Sequence, residues 1–474
     1  MATTPAVVDV NTINVRPPKR FFVEMLTRDI ELVDAILDLL DNSVDGALRT
    51  NLARGGPADA QRPFVGFWAH ITLDRDHFKI SDNCGGIPYV VAREYAFRFG
   101  RPDADQDAGL PTVGVYGIGM KRALFKLGQN AYVRSRHAND GAFAVHISPE
   151  WMVNDSWELE MDTQVSGPNE PGVEIEVQNI HPGVSSQFGP ITGNFDNILS
   201  MKIRDHYAYL IQKGMEIRVN GILITPVLLQ TLMSDSPGGG SSIDPYIYKT
   251  EHDGVSVLLV MGMYERFPTE TDLEDFAEGK RSKDTAGWTV ICNDRVVVSH
   301  DTSHITGWGE AGVPAYHSQF ITLAGVVLFN SSDASKLPLT TTKRGLDLSS
   351  PLYSAVKDEM RQALKHFTSF TYQWKSQTEE RTGIQEATKA VDIREAQTSV
   401  PIESWQDLRK GLKGQRFVPV LPKPAQEKSH SRISFEKSKR DIATLAEYIE
   451  MDSTARPSEV GAAAFDYLLA QARA

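Results

Sequence analysis

Residues Asp38 to Ala47 read DLLDNSVDGA, and with Asp34 just upstream they crowd Asp34, Asp38, Asp41, Asn42 and Asp45 into one short segment. The same segment carries Ile30, Val33, Leu37, Leu40 and Val44 at helical spacing, which predicts a helix from about Asp29 to Leu48. Asp and Asn are poor helix formers and neighbouring carboxylates repel, so the pattern is locally costly. The spacing places the acids mainly on the face opposite the apolar one. Asp38 and Asn42 share a face, with Asp45 about one turn further along the same side. A carboxylate beside an amide can align a water and hold a Mg²⁺ ion, which takes oxygen ligands and keeps several waters. On spacing alone a solvated acidic face explains the helix at least as well.

The chain around this helix is ordinary for a folded protein. Its 474 residues are 41% hydrophobic and 23% charged, which predicts roughly two to four domains with real cores. A formal net charge of -12 leaves no overall basic footprint for nucleic acid. Two cysteines, Cys84 and Cys292, exclude a disulfide framework or a thiolate-rich zinc module. The first residues lack a charged start followed by an apolar run, and no stretch of about 18 apolar residues occurs. The expectation is a cytoplasmic, membrane-free chain.

Strand-like runs follow the helix, FVGFWAHITL and then HFKISDNCGGI, which breaks into glycines after Ile80. Asp82 stands at the end of that strand, before Gly85, Gly86 and Ile87. Glycines there let the backbone approach a flat ligand closely, and a carboxylate can accept hydrogen bonds from an exocyclic amine such as that of adenine. By itself a tight turn explains Asp followed by Gly-Gly. Further on, Gly114, Val115, Tyr116, Gly117, Ile118, Gly119, Met120 and Lys121 form a glycine-rich loop running into a helix. Free N–H groups and the helix dipole attract phosphate at such a point. The spacing is neither that of the lysine-containing phosphate loop nor a dinucleotide fingerprint in its βαβ setting.

The order of the three motifs, all within residues 30 to 128, resembles the GHKL ATPases: gyrase B subunits, the heat-shock chaperones of that class, histidine kinases, MutL and MORC proteins. Their helix motif, Glu-x-x-x-Asn-x-x-Asp-Ala, corresponds to Asp38, Asn42, Asp45 and Gly46. Their adenine motif, Asp-x-Gly-x-Gly, corresponds to Asp82 through Gly86, and VGVYGIGMKRA is most similar to the MORC-like branch. The resemblance implies an α+β fold, the GHKL (Bergerat) sandwich of helices on a mixed sheet. It implies that Asn42 holds Mg²⁺, that Asp82 binds the adenine amine of ATP with Gly46 near the base, and that Gly114 to Lys121 wrap the phosphates. Asp38 is then the general base. This sequence departs from the pattern in three places: Asp38 stands for a Glu one methylene longer, Cys84 for a Gly, and Val173 for a Thr that often assists the adenine aspartate. Slow turnover is the implied consequence.

The expected organisation is an N-terminal arm over 1–28, the ATP-binding domain over 29–200, a transducer domain over 201–378 of the fold found in MutL and gyrase, and a basic linker with a helical tail over 379–474. By the same resemblance Lys343, in LPLTTTKRG, is the lysine that reaches the γ-phosphate, and GWTVICNDRVVV is the transducer strand with its Asn-x-Arg turn. An ATP-bound homodimer, joined through an exchanged arm, is implied. His300 and His304 sit four apart in a polar turn, a poor setting for a metal pair. Between Val400 and Arg440 ten Lys or Arg stand against four acids, so Arg409, Lys410, Lys413 and Arg416 could contact DNA or belong to a solvated linker. A chaperone-type protein-binding switch and a kinase are the rival readings. The kinase is disfavoured because no phosphoacceptor-histidine helix precedes the motifs. No nuclease motif follows residue 375, so cutting DNA would require a partner protein.

Overall fold

The computed structural model describes residues 18–56, 62–99, 112, 117–154, 156–189, 194–238, 243–267, 286–340, 345–374, 388–408, 411–424, 433–434, 436–452 and 454–473. The chain divides into two compact units, Met1–Pro226 and Val227–Ala474.

The first unit opens with helix α1 (Lys19–Arg28) and the long α2 (Leu32–Ala53). Strands β1 (Trp68–Leu73) and β2 (His77–Asp82) follow, then α3 (Gly119–Leu127), β3 (Gly128–His137), β4 (Gly141–Ile147), β5 (Met161–Asp162), β6 (Gly172–Ile180), α4 (Phe195–His206), β7 (Glu216–Val219) and β8 (Ile222–Leu223). They form one eight-stranded sheet in the order β5-β4-β3-β6-β2-β1-β7-β8. It is antiparallel except where β7 runs parallel to β1. Side chains alternate across a strand, so Ile71, Phe78, Ile80, Val133, Ile175 and Val177 all point to one face. There they are buried with Leu37, Leu40 and Val44 of α2, Leu124 and Leu127 of α3, and Leu199 and Ile203 of α4.

The burial of α2 differs from the expected two-faced helix. Asp38, Asp41 and Asp45 are buried together with the leucines, and only Asn42 among the motif residues is exposed. For Asp41 the partner lies far along the chain. Tyr207, which caps α4 and is fully buried, sets its hydroxyl 2.6 Å from Asp41 Oδ1. A buried carboxylate needs such donors, because desolvation without them is prohibitive. The acids of α2 are therefore internal groups that the fold supplies with partners.

The other sheet face carries a ladder of charges. Lys79 Nζ lies 2.7 Å from Glu174 Oε2, and Arg134 Nη1 lies 2.8 Å from both Glu174 Oε1 and Glu176 Oε2. The Arg134 guanidinium holds the Glu176 carboxyl down to about 2 from an ordinary 4.5. A depressed carboxyl contributes stability that is complete above the unfolded value and is lost as the pH falls through the folded one. We therefore expect Glu176→Gln to lower stability by about 1 kcal/mol near neutrality, after allowing for partial exposure. That deficit shrinks as urea unfolding is repeated from about pH 5 down to about pH 3. A deficit that does not change with pH would show that the ladder is not ionic in origin.

The second unit holds β9 (Gln230–Ser234), β10 (Tyr246–His252), β11 (Val255–Met263), β12 (Gly287–Cys292), β13 (Arg295–Asp301), β14 (Leu323–Asn330), α5 (Pro351–Gln373), β15 (Thr388–Asp392), β16 (Gln406–Asp407) and β17 (Gln415–Phe417). Its main sheet runs β13-β12-β14-β11-β10-β17-β16. Helix α5 starts on a Ser350 cap with Pro351 in its first turn, and its Val356, Met360, Leu364 and Phe367 join Trp288, Val290 and Val327 in the core. The expected Asn-x-Arg turn is a hairpin with Asn293 and Asp294 both at positive φ. Asn293 Oδ1 and Nδ2 also bond the main chain of Ser331, at 2.9 and 3.0 Å.

Two boundaries differ from those read in the sequence. The first unit runs on to Pro226 because β7, read as the start of the second domain, adds a parallel strand beside β1. The chain after residue 379 is more than a linker. β15 pairs with β9, β17 pairs with β10, and Trp374 Nε1 donates to Pro422 O at 3.0 Å. Helices α6 (Lys439–Tyr448) and α7 (Pro457–Arg473) end the chain. Among the described residues no helix is long and apolar enough to cross a membrane.

Candidate functional site

Helix α2 is where the three sequence motifs meet. Its middle touches the turn after β2 on one side and the start of α3 on the other.

The turn contact is built around Asp82. It closes β2 on the buried face and is 8% exposed. Its Oδ1 accepts the Cys84 amide at 3.0 Å and the Val173 amide at 3.1 Å, and its Oδ2 accepts the Ser43 hydroxyl at 2.7 Å. Burial pushes the Asp82 carboxyl above its ordinary value, and those three donors pull it partly back. Three donors on two oxygens leave Oδ2 with room for a further donor. The expected Thr partner is absent, and the main chain of Val173 supplies the second-strand hydrogen bond instead. Ser43, which the sequence reading passed over, is the side-chain partner. A serine on the buried side of α2 beside Asn42 was the available signal.

Cys84 is in contact with Gly46, which stands where the family helix motif has Ala. A Cβ on Gly46 would lie 2.9 Å from Cys84 O and 3.2 Å from Cys84 Cβ. The family places a methyl on the helix and a glycine in the turn; here the helix has the glycine and the turn has the side chain. With no Cβ on Gly46, the helix and the Cys84 turn approach closely. Burial and the nearby Asp82 push the Cys84 thiol well up, so it is a space-filling group and not a nucleophile at neutral pH. Gly86 sits at φ +75°, and a Cβ there would run into Arg136 O, so only glycine suits the turn. Ile87 N donates to Ser135 Oγ at 2.8 Å, which ties the turn to β3.

The other contact joins α2 to α3. Gly119, the first residue of α3, comes so close to α2 that an added Cβ would lie 3.3 Å from Asp38 Cβ, Cγ and Oδ2. Arg122, one turn further on, donates from Nη2 to Asp38 Oδ2. Asp38 is 8% exposed. Asn42 Nδ2 donates to Asp38 O at 3.0 Å, which leaves its Oδ1 as an open acceptor on an exposed residue. Asp45 is buried one turn below.

The loop before α3 is described in part. Gly114, Val115 and Tyr116 lie outside the described residues, whereas Gly117 (φ +66°), Ile118, Gly119 and Met120 lead into the helix. Lys121 points away from α2: it is buried, donates from Nζ to Ala96 O at 2.8 Å, and burial lowers it to about 8. Lys343, Arg409 and Lys410 also lie outside the described residues. Lys413 is exposed, while Arg416 sits in β17 and acts on the Tyr246 hydroxyl. His300 ends up in β13 and His304 in a turn of 3-10 helix. Among the described residues no cluster of three His, Cys, Asp or Glu could hold a metal.

Residues 30–168 match the family described as histidine kinase-, DNA gyrase B-, and HSP90-like ATPase. The match spans all three motifs, so this segment is similar to the ATPase domains of the GHKL type, which supports ATP binding. No curated protein matches the chain.

Proposed function

We propose that the first unit binds ATP with Mg²⁺ and hydrolyses it slowly, and that the chain acts as an ATP-gated dimeric clamp on DNA of the MORC-like branch, in genome maintenance or defence against mobile DNA. The observation that carries the nucleotide part is the buried Asp82 carboxylate, fixed by Ser43, Cys84 and Val173 with acceptor capacity left over. An adenine amine donates to that carboxylate, while a guanine would present an oxygen there and be repelled. Gly46, Gly86 and Ile87 line the approach to the base. Main-chain N–H groups between Gly114 and Lys121 take the phosphates at the N-terminus of α3.

In hydrolysis Asp38 takes a proton from a water whose oxygen forms a bond to the γ-phosphorus. The bond from that phosphorus to the bridging oxygen breaks, and ADP leaves with its electron pair. The open Oδ1 of Asn42 fits a Mg²⁺ ion, which is usually held by few protein ligands together with substrate phosphates. Bound there, the ion neutralises phosphate charge. The shorter Asp in place of Glu supports slow turnover. Lys343 is the proposed γ-phosphate sensor of the clamp.

The engagement of Asp38 by Arg122 favours a second reading, a chaperone-like switch driven by nucleotide binding with little hydrolysis. ATP hydrolysis measured with and without duplex DNA separates the two. The clamp predicts stimulation by DNA that is lost when Lys410, Lys413 and Arg416 are reversed to Glu. ATP-dependent client binding that ignores both DNA and those changes would establish the switch.

A further inference from the structure

The cation beside Asp38 is Arg122, not the motif lysine before it. Consecutive helical residues point about 100° apart, so only one of Lys121 and Arg122 can face α2. Lys121 spends its ammonium on Ala96 O. Arg122 turns toward α2 and donates to Asp38 Oδ2, with 18% of its side chain and 10% of that of Asp38 exposed.

Two features make this more than a structural ion pair. A guanidinium carries five N–H donors in a rigid fork suited to phosphate. Among the described residues Asp38 is the acceptor Arg122 has, and its Nε is buried without a partner. A buried donor without an acceptor is costly, and the site is one that an anion with several oxygens would satisfy. Arg122 also follows Gly119, whose first-turn N–H groups and helix dipole already favour negative charge at this end of α3.

We propose that Arg122 is a triphosphate-binding residue that distinguishes ATP from ADP. Without nucleotide its fork rests on Asp38 and occupies the carboxylate oxygen that would receive a proton. With ATP bound the γ-phosphate offers more acceptors and more charge than Asp38, the fork moves to it, and the carboxylate is released. The inference rests on the reading of the first unit as an ATP site with Asp38 beside the γ-phosphate. It adds a residue that couples arrival of the third phosphate to exposure of the base.

The test is calorimetric titration of ATP, ADP and the non-hydrolysable AMPPNP into wild type, Arg122→Gln and Arg122→Lys in Mg²⁺, with a thermal melt of each. A charge-assisted bidentate contact corresponds to a loss of about tenfold or more. Arg122→Gln is therefore expected to weaken ATP and AMPPNP by at least about tenfold while changing ADP by less than about threefold. Arg122→Lys, which keeps the charge and loses the fork, falls between. Equal losses for ATP and ADP, or none, in a variant that melts like wild type would overturn the inference and leave the ATP site standing. If Arg122→Gln does not fold, the same comparison is decided by Arg122→Lys, for which equal losses or none overturn the inference. Failure of wild type to bind any of the three nucleotides would overturn the ATP reading and the inference with it.

Discussion

Asp38→Ala is expected to bind ATP within about threefold of wild type and to lose roughly two to four powers of ten in turnover, the range over which positioned acid-base groups act. Gly119 and Arg122 crowd the Asp38 carboxylate from α3, so few other groups can take over its proton. Removing one partner of a mostly buried pair leaves the other charge uncompensated, so Asp38→Asn belongs in the same experiment. It keeps an acceptor for Arg122 and cannot act as a base. Steady-state phosphate release for both variants, beside calorimetric ATP affinity, gives the answer. Turnover that survives in Asp38→Asn would remove Asp38 from the chemistry.

Asp82→Ala is expected to weaken adenine nucleotide binding by about a hundredfold or more, since a site built around a buried polar group discriminates strongly when that group is lost. The change also strands the Ser43 hydroxyl and the Cys84 and Val173 amides, which all converge on this carboxylate. Some loss of stability, of order 1–3 kcal/mol, should accompany it. Ser43→Ala helps to separate the two effects. It removes one donor while leaving the carboxylate, so its loss of affinity should be far smaller than that of Asp82→Ala. Affinity by calorimetry and stability by urea unfolding report both quantities. Equal affinity losses in the two variants would point to damage of the fold around the turn.

Much of this site was legible in the sequence, because the motifs are local. The spacing of Leu37, Leu40 and Val44 predicts a helix there, and Asp82 with its glycines marks the end of a strand. Contacts made by residues far apart in sequence were not legible. The partners of the buried acids of α2 lie far off in sequence: Tyr207 meets Asp41 across 166 positions and Arg122 meets Asp38 across 84. The end of the first unit depends on β7 choosing β1 as a parallel neighbour, and a strand-like run such as EIRVNGILITP does not announce its partner. Cys84 reads as a departure by itself in the sequence, and its contact with Gly46, where the family motif has Ala, shows only in the fold. The loop motif read in the sequence ends at Lys121 and passes over Arg122; helix geometry sends Lys121 inward to Ala96 and Arg122 to Asp38.

The central claim, that this fold holds ATP with its base read by Asp82, is tested most directly by titrating ATP and then GTP into wild type in Mg²⁺. The account predicts saturable ATP binding and much weaker GTP binding, because guanine cannot donate where adenine does. Equal affinity for the two, or no saturable binding of ATP, would contradict it.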